Sequence, residues 1–259
     1  MRMEDYLEKT IPFPKGLKFQ KNGINYTGII LRELGGLDEE IISKPEYRDS
    51  LVKIQGVALQ RCIAGLIDEA GKEVVTESEL PTLEELNKLP MAFIDLLFLE
   101  LRSVTLGDTI VKSMKCPEKE CDKRIEPSVN LEELRSETVG VDFGERTVVL
   151  DRGLLHEGTR LKKAKVVPVK AEVRAKLFSA GADLNDFGGT NSEFLYNSIV
   201  DIDGIVLTKD MVSNLKKADR VKIFEAVGGV KPFELSREFV CPYCKKSFAV
   251  EVDLLDFLF

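Results

Sequence analysis

An α+β fold, with helical segments set around small β-hairpins, is what this 259-residue sequence predicts, on three observations. Apolar and polar residues alternate around an Asn22-Gly23 pair near the N-terminus, a strong short-range hairpin signal. Several longer stretches repeat apolar residues with the period of an amphipathic helix. Two tight cysteine pairs, Cys116/Cys121 and Cys241/Cys244, each lie between short β-like runs.

In chain order, residues 11–36 read as an opening β-segment that folds back at Asn22-Gly23. From about Glu46 to Ala70 the pattern turns helical. Leu51, Ile54, Ala58, Cys62 and Leu66 form one stripe, Leu59 and Ile63 widen it, and Gly71 suits the C′ position. Cys62 on that stripe is expected to be a small buried hydrophobe. Thr82 followed by Glu85 is a capping box for a short helix that Pro90 closes. Pro90 also opens Met91–Leu106, which is apolar on most faces, as a helix packed on several sides would be, and Gly107 ends it.

From Gly107 to about Leu131 the chain reads strand, knuckle, strand. The β-like runs Arg146–Leu150 and Ala164–Val169 follow, then helical patterns over roughly 170–180, 191–200 and 208–227, the last broken by Gly228-Gly229. Arg237–Val240 and Ser247–Val252 enclose the second cysteine pair. The expected divisions are 1–110, an N-terminal β-hairpin plus helical region; 111–136, the first knuckle; 137–236, a mixed β/helical insertion; and 237–259, the second knuckle and an apolar tail.

Composition narrows the function. An apolar share of 44% and a charged share of 31% are those of an ordinary folded protein. No apolar run approaches the roughly 20 residues of a membrane span. The first ten residues lack the apolar core of a secretory signal, so the protein is expected to be made in a cytoplasm. Net charge is −7, from 37 basic and 44 acidic residues, which argues against broad phosphate-backbone binding. The stretch Arg160–Lys165 and the cluster Lys216, Lys217, Arg220 and Lys222 read as solvated faces.

The cysteines carry the chemistry. Four soft ligands in two knuckles suit a tetrahedral zinc, with Zn–S near ~2.3 Å. Cys241-Pro-Tyr-Cys244 has the usual spacing; Cys116-Pro-Glu-Lys-Glu-Cys121 is at the wide end. A redox Cys-x-x-Cys would open a helix in a βαβ setting, which Cys241 does not, and disulfides need an oxidising compartment. The fold therefore carries a split zinc-ribbon-like site joining mid-chain to C-terminus. Its two pairs lie 120 residues apart, Cys121 to Cys241, so the Zn2+ is structural and clamps a loop whose closure costs a few kcal/mol.

No catalytic site is expected. The single histidine, His156, reads as a loop residue without chemistry, and phosphate-loop, dinucleotide, zincin and nucleophile-elbow motifs are missing. Asp201-Ile-Asp-Gly204 lacks the ligands of a calcium loop and reads as a turn between two helices. Acidic pairs such as Asp95/Glu100 and Asp253/Asp256 are undistinctive as general acid and base. The tail residues Leu254, Leu255, Phe257, Leu258 and Phe259 must dock on the chain's own core or on a partner. A nucleic-acid-binding zinc ribbon is the alternative, from Lys115, Lys119, Lys123, Arg124, Tyr243, Lys245 and Lys246 around the knuckles.

The stretch Leu89–Arg102 with Gly107-Asp108, the first knuckle with Val129-Asn-Leu131, and Arg237–Phe259 with its Cys-Pro-x-Cys knuckle and Phe-rich end carry a likeness. In their order the sequence resembles the baseplate hub and hub-assembly proteins of T-even-like contractile-tailed phages. The resemblance implies a non-enzymatic structural or assembly component of a tail or tail-like injection device. It further implies other baseplate or tail proteins as partners, and residence in the bacterial host cytoplasm during assembly and in the virion baseplate.

Overall fold

The computed structural model describes residues 6–48, 51–76, 78–138, 142–179, 189–227 and 236–251. Its centre is the helix Met91–Leu106, N-capped by Pro90 and closed by Gly107, whose φ of 82° only glycine adopts freely. Phe93, Leu97 and Leu101 on this helix are fully buried, and Ile94, Phe98 and Leu99 nearly so. A helix apolar on that many faces must be covered on several sides.

One cover is an antiparallel sheet of five strands, Glu8–Pro12, Phe19–Lys21, Ile24–Arg32, Ile63–Asp68 and Glu73–Val74. The hairpin expected at Asn22-Gly23 is there. Both residues have positive φ, 51° and 80°, and join Lys21 to Ile24 in register, as a two-residue primed turn requires. The capping box is also present: Thr82 accepts the Glu85 N–H, and the Glu85 carboxylate accepts from the Thr82 N–H.

The helix expected over Glu46–Ala70 stops early. Helices cover Pro45–Arg48 and Leu51–Cys62, and the chain then enters the strand Ile63–Asp68, paired on Ile24–Arg32 and Glu73–Val74. Ile63 and Leu66 are buried in the strand as they would be on a helical stripe; three apart, they would face opposite ways in a regular strand, but the ladder shifts register between Ile30 and Leu31 and pairs them with Leu31 and Ile29. Gly65 lets the strands pack closely: a Cβ there would lie 3.2 Å from the Ile30 side chain and 3.3 Å from the Val74 carbonyl. Gly71, at φ 77°, belongs to the turn out of this strand rather than to a helix end.

A second core lies under the three-stranded sheet Arg146–His156, Thr159–Val166 and Ile199–Ile202. The helices Gly189–Ser198, Lys209–Ser213 and Lys217–Ala226 bring Leu195, Val212 and Ile223 onto it. His156 is therefore a strand residue beside the Glu157-Gly158 turn, not a loop residue. The pattern over 208–227 divides into two helices. Asp201–Gly204 ends a strand rather than linking helices: Asp203 and Gly204 turn left-handed, and Asp203 accepts the Lys162 and Lys163 N–H groups. The first strand bulges between Val149 and Leu154, and the fully buried Asp219 carboxylate accepts the freed N–H groups of Asp151, Arg152 and Gly153.

The two cores are joined at buried contacts. Phe143 enters the main core edge-on to Phe93. The helix Ala171–Ser179 lays Arg174 against Asp95 and Gln55, while Val169, Val173 and Phe194 surround Met91. The buried Asp95 and Glu100 carboxylates are thus hubs of ion pairs, Glu100 holding the part-exposed Lys9 and Arg135. Among the described residues no helix is long and apolar enough to cross a membrane.

Candidate metal centre

The first knuckle grows directly from the central helix. After Gly107 two short ladders stack outward, Thr109–Val111 on Ser128–Asn130 and Met114–Lys115 on Arg124–Ile125. Their base is tied to the helix end. The buried Arg102 donates to the carbonyls of Gly107 and Thr109, the Leu131 N–H donates to the Asp108 carbonyl, and Arg135 pairs with Asp108 and Glu100 at 2.6 and 2.7 Å. The second knuckle tips the hairpin of Ser236–Val240 and Ser247–Glu251, where Phe239 and Phe248 lie opposite each other with centroids 5.7 Å apart.

Each knuckle closes with the same device. The Cys116 N–H donates to the Lys123 carbonyl and the Cys241 N–H to the Lys246 carbonyl. The residue after each second cysteine, Asp122 or Lys245, is left-handed, which turns the chain back. The two extra residues of the first knuckle are absorbed in a turn in which the Cys121 N–H donates to the Glu118 carbonyl. Wide spacing thus leaves Cys121 in place beside its partners.

All four Sγ atoms lie within 4.8 Å of one another, with Cys116–Cys244 and Cys121–Cys241 each at 3.8 Å. A tetrahedron with Zn–S of about 2.3 Å has S···S edges of about 3.8 Å, whereas a disulfide needs about 2.05 Å. All five cysteines are free thiols. The donor set is thus of the right chemistry and at the right separation to hold a metal ion. Ile125, Met114, Phe239 and Phe248 pack around it, and Lys246 pairs with Glu118 across the two knuckles at 2.5 Å.

Electrostatics set Cys241 and Cys116 apart. The Cys244 and Tyr243 N–H groups draw Cys241 down to about 7, while burial pushes Cys116 up to about 12. Cys62, buried in the main core and likewise pushed up to about 12 by burial, takes no part, in line with its packing role. Among the described residues no other group of His, Cys, Asp and Glu side chains converges in this way.

No local sequence pattern marks the supports, which are the Lys246–Glu118 pair and the Glu100, Arg102, Asp108 and Arg135 joint. The signal for the joint lay inside Leu89–Arg102 and Gly107-Asp108, the stretch that carries the resemblance. The expected docking residues Leu254, Leu255, Phe257, Leu258 and Phe259 lie outside the described residues.

A family model described as T4 bacteriophage base plate protein matches residues 43–259, a span that holds the central helix, the joint and both knuckles. No curated protein and no solved structure matches the chain. The chain, a component of the phage baseplate, belongs to the T4 bacteriophage base plate protein family.

Proposed function

We propose that this chain is a structural or assembly adaptor of a contractile phage tail or tail-like baseplate, not an enzyme, held together by one structural zinc on Cys116, Cys121, Cys241 and Cys244. The observation that carries the reading is a set of four thiols within 4.8 Å of one another in a chain of the baseplate family. Four thiolates fill the coordination of zinc, leaving no position for water or substrate. Such an ion orders the chain and performs no reaction. The protein is made in the bacterial host cytoplasm, and its partners are other baseplate or tail proteins, reached in part through the apolar tail.

Charge around the knuckles favours an adaptor over a nucleic-acid ribbon. Lys115 pairs with Asp122 at 3.0 Å and Lys246 with Glu118, so acidic neighbours offset these cations. Tyr243, 63% exposed, is a single aromatic at the tip, whereas a strand-binding platform stacks successive bases. Mass spectrometry of baseplate assembly intermediates from infected cells tests the reading. The chain is expected in at least one intermediate; absence from all of them, with tight DNA or RNA binding at moderate salt, would overturn it.

A further inference from the structure

The hairpin Ser236–Glu251 stands apart from the chain's cores. Among the described residues none from the hairpin belongs to the main core, to the core under the three-stranded sheet or to the cluster around Met91, although Val250, paired with Arg237 at the end away from the knuckle, is buried. Among the described residues its ties to the body gather at the knuckles: the two sulfur contacts, the small cluster of Met114, Ile125, Phe239 and Phe248, and the Lys246–Glu118 pair. That pair is solvent-exposed, and exposed ion pairs contribute little in water. A lone two-stranded hairpin is marginal in water.

We propose that this hairpin is a metal-latched arm: metal at the four cysteines holds it on the first knuckle, and metal loss releases it as a unit while the body stays folded. The inference rests on the metal reading above. It goes further in dividing the molecule into a body that folds without the ion and an arm that does not stay docked without it. In sequence the arm leads into Leu254–Phe259.

Hydrogen exchange on the full chain tests this. Purified protein is divided, one half is stripped with 1,10-phenanthroline, and zinc is counted in both. In the stripped half, amides of 237–250 are expected to exchange on the order of tenfold faster or more, while Met91–Leu106 and Thr159–Val166 keep their protection. The double variant Cys241→Ser/Cys244→Ser is expected to reproduce that pattern. If zinc leaves and the arm keeps its protection, or the body loses its own, the latch is wrong and the metal site stands. If the untreated protein holds no zinc, the metal reading fails and the latch falls with it.

Discussion

Asp95→Asn probes how the second core is fastened to the central helix. Asp95 is 6% exposed, accepts from Gln55 at 2.9 Å and faces the Arg174 guanidinium at 2.8 Å, while Arg174 also donates to the Gln55 side-chain Oε1 at 2.6 Å. Three helices meet in this network. The substitution keeps the side chain's shape and removes its charge, leaving Arg174, with 13% of its side chain exposed, without a counterion. Removing one partner of a buried pair costs about 3–5 kcal/mol, and the residual exposure of Arg174 puts the loss at the lower end, about 3 kcal/mol. With a urea dependence of about 3 kcal/mol per molar, the unfolding midpoint falls by about 1 M. Replacing both partners, Asp95→Leu with Arg174→Met, removes the stranded charge and is expected to recover most of the loss. A shift of the single variant below about 0.3 M, or a double variant no more stable than the single, would refute the reasoning.

Three other outcomes follow from the same structure. Asp219→Ala strips the acceptor from three N–H groups at the strand bulge and is expected to cost about 2–4 kcal/mol in urea unfolding; a loss under about 1 kcal/mol would show that water replaces the carboxylate. Burial alone would raise the Asp38 carboxyl, but Arg32, the Gly35 N–H and Arg61 outweigh it and hold it below the usual carboxylate range. Its contribution is therefore present above the unfolded value of about 4 and lost as pH falls through the folded value, so the stability gap to Asp38→Asn should close in acid; a gap constant with pH would contradict this. Deleting Leu254–Phe259 is expected to leave a folded chain that does not enter baseplate intermediates, whereas an unfolded product would assign the tail to the chain's own core.

Local chemistry was legible where one residue type has one physical use. Pro90 and Gly107 bound the central helix, Thr82 and Glu85 cap the short one, Asn22-Gly23 makes the hairpin, and the cysteine pairs converge. What escaped was decided at long range. Ile63 and Leu66 have helical spacing, and pairing with Ile24–Arg32 on one side and Glu73–Val74 on the other makes Ile63–Asp68 a strand that takes them through a register shift. The bulge at 150–153 depends on Asp219, more than 60 positions away, and no local pattern announces it. Asp95 and Glu100 looked like ordinary acidic residues because their arginine partners, Arg174 and Arg135, come from distant helices. The joint at the helix end was hidden for the same reason, since it ties Glu100 and Asp108 to Arg135 of the following helix.

The central claim is that Cys116, Cys121, Cys241 and Cys244 share one zinc. Elemental analysis combined with zinc K-edge absorption on the purified chain tests it most directly. One zinc per chain with four sulfur neighbours at about 2.3 Å is predicted, and Cys116→Ser or Cys241→Ser should each abolish binding. A folded chain without zinc, nitrogen or oxygen in the first coordination sphere, or full zinc retention in either variant would contradict it.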